Sequence, residues 1–370
     1  HWTRWSDEFV DELVKKDLPS AQKWTRLPME GVGTYLAESL KKVFKNPDRP
    51  ESERAHAAAL TEFTYLTYNV SSAEDLMKLV LDIEGEPYAI LNKWFVASGH
   101  EAAKVIHREL DKLQETIPED IDVLARRQAH AAVILLQLED WDRVRGTADP
   151  RERIRADRLW PLLQDSPDPR LHSLRTYLSR RFARVGNKTD VVLARYAAEQ
   201  DTSARRALLL SLGEFKDYQL PPPDSLKPHI KRLVKEYSED PDPGVHSALA
   251  WLLRQWKHQL SVEEIDQAWA TGNVEGNRRW YVTARHAHTL SVIPGPAKFT
   301  MGSPQGEPHR LSEETQHMRH IPRSFAIATK EVTVRQFPAF LKANPDVSHD
   351  WRLTEMYLPK VDPDDGPDLG

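Results

Sequence analysis

Three stretches of the chain begin alike, and they constrain the fold more than any other feature. DPRLHSLRTYLSRRF starts at Asp168, DTSARRALLLSLGEF at Asp201 and DPGVHSALAWLLRQW at Asp242. Each opens with Asp followed by Pro or Thr, then a basic residue or His, then a mixture of small and large apolar residues. An aspartate in that position caps a helix, and proline at the first helical position costs no hydrogen bond. Asp168, Asp201 and Asp242 therefore read as caps rather than catalytic acids. The three starts lie 33 and 41 residues apart. Partner helices fall between them, at KTDVVLARYAAE and at SLKPHIKRLVKEY, the latter after the PPP break at 221–223. A helical unit recurring at this period predicts pairs that stack, because one pair alone cannot bury its apolar stripe. The rival is an irregular all-α domain.

The fold class expected is mainly α, a HEAT-like α-solenoid followed by a short, incomplete α+β segment. Residues 1–150 read as irregular HEAT-like helical pairs, 151–270 as HEAT-like repeats, and 271–370 as the start of the α+β part. In the first region the longest helix candidate is PEDIDVLARRQAHAAVILLQL, whose second half, AAVILLQL, is apolar nearly all round and is expected to be buried. Trp251 and Trp256, on one helix, are expected to pack between repeats. The chain has no cysteine, which excludes disulfides, cysteine–zinc sites and cysteine nucleophiles from these 370 residues. With 51 basic and 56 acidic residues the net charge is −5, which gives no global attraction to nucleic acid or anionic lipid. No apolar run approaches the length of a membrane span.

After Trp256 the texture changes. WYVT and HTLSVI alternate and carry β-branched residues, KFTMGS and RSFAIAT read as short strands, and Gly302, Pro304, Gly306 and Pro308 mark a loop. EVTVRQFPAFLKA reads as a helix with Val334, Phe337, Phe340 and Leu341 on one face, Pro338 being tolerated near its start.

The stretch 299–341 resembles the opening of the formylglycine-generating enzyme (sulfatase-modifying factor) domain. The matches are Phe299, Met301, Gly302 and Ser303, then Glu314 and His317, then Phe325, Ile327, Glu331, Val332, Thr333, Gln336, Phe337 and Phe340; Thr315 departs from a common Pro. Upstream, VFKNPDRPESERAHAAALTEF and ARRALLLSLGEF are similar to a bacterial architecture in which a Ser/Thr protein kinase precedes HEAT-like repeats and a domain of this kind. The resemblance implies that the domain continues beyond Gly370, and that its cysteine pair and any calcium or copper lie there. No cofactor, metal ligand or catalytic residue is assigned within these residues. The motif is a structural signature: Phe299, Met301, Phe325, Phe337 and Phe340 are core-forming types, Gly302 suits a tight turn, and Glu331 and Thr333 are placed to cap the following helix. The resemblance leaves three functions open. One is a non-catalytic interaction region that binds a protein or peptide. Another is the front of a formylglycine-generating or related oxidoreductase, and the third a nucleic-acid-binding solenoid. A membrane-bound kinase upstream would place the region outside the cytoplasm.

Several clusters remain to be weighed. His309, His317 and His320 share one stretch read as a loop, and only a helical turn there would let His317 and His320 ligate one metal. His286 and His288 would lie on one face of a strand. Glu307, Glu313 and Glu314 would offer paired carboxylates for acid–base work, against the ordinary reading of an exposed acidic loop. Arg175, Arg180, Arg181, Arg184, Arg205 and Arg206 would line a phosphate-binding face, against a solvated face with ion pairs one turn apart. No nucleic acid is expected as partner.

Overall fold

The computed structural model describes residues 2–17, 19–21, 33–68, 73–83, 85–112, 121–147, 149, 151–166, 168–284, 288–303, 310–331 and 336–346. The chain is mainly helical, with antiparallel β-structure near its C-terminal end. It divides into two compact units, 1–222 and 223–370, at the PPP run. The sequence-based divisions at 150 and 270 fall inside these units.

The first unit holds α1 (Trp2–Leu13), α2 (Gly33–Lys45), α3 (Glu51–Tyr68), α4 (Ala73–Val80), α5 (Glu86–Ala97), α6 (His100–Asp111), α7 (Ile121–Arg145), α8 (Pro169–Arg184), α9 (Thr189–Ala198) and α10 (Thr202–Gly213). Successive helices pack on one another: α1 on α2, α2 on α3, α6 on α7, α7 on α8, and α10 on both α8 and α9. The centre is α7. Its run from Ala131 to Leu136, with Leu138, is buried all round, as AAVILLQL predicts. A helix apolar on every side has to be enclosed, and α5, α6 and α8 enclose it.

Local chemistry sets the helix starts. The Asp201 carboxylate accepts from Ala204 N at 2.8 Å and from the Ser203 hydroxyl, which together hold it below the usual carboxylate range. Replacing Asp201 with Ala leaves an orphan N–H at the start of α10. It is expected to cost the first unit about 1 kcal/mol, read as a lower urea midpoint with an unchanged slope.

The second unit holds α11 (Pro223–Glu239), α12 (Pro243–Gln255) and α13 (Gln259–Ala268), mutually packed, followed by β1 (Trp280–Val282), β2 (Thr289–Ile293), β3 (Ala297–Met301), β4 (His317–Ile321), β5 (Phe325–Ala328) and α14 (Gln336–Ala343). Asp242 caps α12 through Gly244 N at 3.0 Å and Val245 N at 2.9 Å. Asp168 occupies the same position ahead of α8. Trp256, at the C-terminal end of α12, is buried, whereas Trp251 is half-buried.

The strands form a three-stranded sheet in the order β1-β2-β5 and a two-stranded sheet of β3 with β4, all antiparallel. Pairing runs Leu290 with Ala328 to Ile293 with Phe325, then resumes as Ala297 with Ile321 to Met301 with His317. The frame is the same on both sides of the interruption. β2 and β3 thus form one arm of a long hairpin, and β4 and β5 the other. In that frame Pro296 lies opposite Pro322 and Pro294 opposite Ser324, and prolines supply no N–H to a ladder. The two backbones nearly touch there: a side chain on Gly295 would begin 2.2 Å from the Arg323 carbonyl carbon.

Candidate interaction surface

The base of this hairpin is tied to the helices by a buried aromatic stack. The His246 ring, on α12, lies between two others: Tyr237 of α11 at 4.2 Å and Trp280 of β1 at 3.7 Å, both nearly parallel. His246 Nδ1 bonds to the Tyr237 carbonyl at 2.8 Å, which fixes the ring. Trp280 Nε1 donates to the Asp240 carbonyl at 2.8 Å, and the Tyr237 hydroxyl donates to Asp266 of α13. Arg278 sits over the Trp269 ring at 3.5 Å and the Trp280 ring at 4.8 Å. Arg279 adds a main-chain bond to Pro241 and an ion pair with Asp242 at 2.7 Å.

Burial shapes the charges of this stack. It pulls His246 down to about 4, so the imidazole is neutral near neutrality. It pushes the Asp266 carboxyl above its ordinary range, and together with Asp266 it raises the Tyr237 phenol. His246, Tyr237 and Trp280 are each 1% exposed, so no substrate reaches them. The stack fastens the β-structure to the helices. The first unit has a comparable buried pair, His130 beside Tyr88 with ring centres 4.8 Å apart. Burial, aided by the Arg181 charge, takes His130 down to about 3.

The distal half of the hairpin is the opposite. All but one residue at each strand's proximal end is exposed, on both faces, including Phe299 at 43%, Met301 at 50% and Met318 at 64%. Strand alternation places Phe299, Met301, His317 and Arg319 on one face and Lys298, Thr300, Met318 and His320 on the other. A two-stranded ribbon with water on both sides is marginal by itself.

Most of the sequence-matched motif maps to this hairpin. Gly302 adopts φ 99°, and a side chain there would meet the Thr315 carbonyl oxygen at 2.5 Å. Beyond it, Ser303 N donates to the Glu314 carbonyl at 3.0 Å, and the Ser303 hydroxyl to the Glu314 carboxylate at 2.7 Å. Gly302, Ser303 and Glu314 thus meet at the tip, where they close the loop. Gly302→Ala strains that turn by about 1–3 kcal/mol, expected as faster amide exchange in β3 and β4 with α11–α13 unchanged. Phe325 and Phe337 are half-buried and Phe340 is 45% exposed, rather than forming a closed core. Phe337 and Phe340 stack on each other at 6.3 Å. Glu331 is exposed, and the helix after it begins at Gln336, which puts Pro338 in its first turn. Val332, Thr333 and Val334 lie outside the described residues.

Other expectations change. His317 and His320 belong to strand β4, not a loop, and a spacing of three on a strand sends them to opposite faces, so they do not share a ligand. His288 immediately precedes β2, where its N–H donates to Thr283 Oγ1 at 3.0 Å and its carbonyl accepts from Thr283 N at 2.9 Å. His286, His309 and Glu307 lie outside the described residues. Glu313 accepts from Ser312, and Glu314 from Ser303, so each is engaged by a serine. Among the described residues no group of three or more His, Asp or Glu is placed to hold a metal ion.

The arginines of α8 and α10 are largely used internally. Arg175 binds Asp165 and the Leu163 and Ser203 carbonyls, Arg206 binds Asp165, and Arg205 lies over the Tyr196 ring at 5.5 Å. Arg181 is buried, while Arg180 and Arg184 are exposed. No described helix is long and apolar enough to cross a membrane. No protein family, curated protein or solved structure matches the chain.

Proposed function

We propose that the chain is a non-catalytic interaction region, a HEAT-like helical scaffold that presents a β-hairpin to a protein or peptide partner. The observation that carries this reading is the distal hairpin, whose Phe299, Met301 and Met318 are exposed on a ribbon that no other element covers among the described residues. Apolar groups placed this way lower their free energy by association. The buried stack at the base supports the same reading, because it gives the hairpin a fixed root. The motif from Phe299 to Phe340 is consistent with the opening of a formylglycine-generating-type domain used for binding, and a kinase-linked signalling protein is the setting that resemblance suggests.

The test is a photo-cross-linking residue at position 299, compared with one at Tyr218, which is 86% exposed in the other unit. A discrete adduct from 299, competed by unmodified chain and not seen from 218, is the expected result. Equal labelling from both positions overturns the proposal. So does turnover of a cysteine-containing sulfatase-type peptide by these 370 residues.

A further inference from the structure

We infer that the outer edge of β4 receives an acidic, extended segment of a partner protein as an added strand. This rests on reading the distal hairpin as the docking element, and it names the partner's chemistry.

The edge is available. Among the described residues β4 pairs with β3 on one side only, which leaves a row of N–H and C=O groups on the other. The charged side chains of the two strands themselves have one sign. Strands β3 and β4, AKFTM and HMRHI, contain Lys298, Arg319 and two histidines and no acid. The side chains of Lys298, Arg319, His320 and Arg323 make no hydrogen bond or ion pair among the described residues. Elsewhere arginines such as Arg127, Arg158 and Arg206 are matched to carboxylates. In a chain with net charge −5, a ribbon of unmatched cations is a local departure that an anionic partner would neutralise.

Strand geometry then specifies the segment. A strand added beside β4 sets alternate side chains next to His317 and Arg319 on one face, and next to Met318 and His320 on the other. The complementary sequence alternates acidic and apolar residues, acids toward Arg319 and an apolar group toward Met318. A second copy of the chain is a poor occupant: antiparallel self-pairing about Arg319 would set the two Arg319 charges side by side. A nucleic acid fits less well too, since three large exposed apolar side chains, Phe299, Met301 and Met318, gain nothing against phosphates.

The experiment uses the whole chain and a fluorescent peptide of alternating Glu and Val, followed by anisotropy. Saturable binding is expected, weakening as salt rises. A peptide of the same composition with its Glu and Val in separate blocks is expected to bind about tenfold or more weaker, as is the alternating peptide with Arg319→Glu. The Arg319 side chain is exposed and makes no described bond, so the thermal midpoint of that variant should match the parent. Equal binding of both peptides, or no effect of Arg319→Glu, overturns the inference. Tighter binding of duplex DNA overturns it too, as does a dimer in light scattering that Arg319→Glu dissolves. If the peptide fails while the adduct from position 299 persists, only the acidic-strand assignment falls. If both fail, the docking reading falls with it.

Discussion

Replacing Trp280 with alanine is expected to cost the second unit about 3–5 kcal/mol. Three interactions vanish together: a fully buried indole, its contact with the His246 ring at 3.7 Å, and its hydrogen bond to the Asp240 carbonyl. Arg278 also loses one of the two rings it covers. The effect is specific to one unit. Urea unfolding should resolve an earlier transition for 223–370 and leave that of 1–222 in place. Trp280→Phe is the informative companion. It keeps a ring against His246 and removes only the N–H, so about 1–2 kcal/mol is expected beyond the change in ring size. A loss below about 1 kcal/mol for the alanine variant would show that the stack is incidental to the root of the hairpin.

Acidification should destabilise both units as the pH falls from 6.5 to about 4. His246 in the fold stays neutral down to about 4, whereas the unfolded imidazole takes a proton near 6.5. The unfolded state therefore binds more protons across that window, and stability present above it is lost as the pH falls. The stability lost is about 3 kcal/mol for His246. His130, held down to about 3 by burial and the Arg181 charge, imposes a similar slope on the first unit. Asp266 acts in the opposite sense. Its raised folded pKa adds stability at low pH that is lost as the pH rises through that value, which softens the slope in the second unit. Chemical denaturation across this range is the measurement. His246→Phe should flatten the slope for 223–370 and leave that for 1–222 unchanged.

What the sequence made legible was local. The burial of AAVILLQL follows from a helix with no polar side, and the caps at Asp201 and Asp242 follow from side chains that reach two or three residues ahead. The turn at Gly302 was visible because a left-handed backbone position selects glycine. Strand β4 was missed for a different reason. HMRHI shows little alternation of polarity, and it is a strand because β5, in the same pairing frame, carries it alongside β3. Nothing within five residues reports that. The aromatic stack was hidden in the same way: Tyr237, His246 and Trp280 come from three separate elements, and composition does not say which histidine meets which ring. The partners of Arg175 were out of reach in the same way, since Asp165, Leu163 and Ser203 sit on other segments.

The proline interruption in the hairpin also divides its mechanical behaviour. A zipper opened from the tip, at Met301 and His317, would lose its rungs one after another back to Ala297 and Ile321. There it meets a gap crossed by Gly295 N–H donating to the Ser324 hydroxyl at 3.0 Å, and beyond the gap a segment already sewn into a third strand through β1. Fraying that starts in water is thereby stopped before it can tug on Trp280. The exposed end can open and close while the rooted end stays shut.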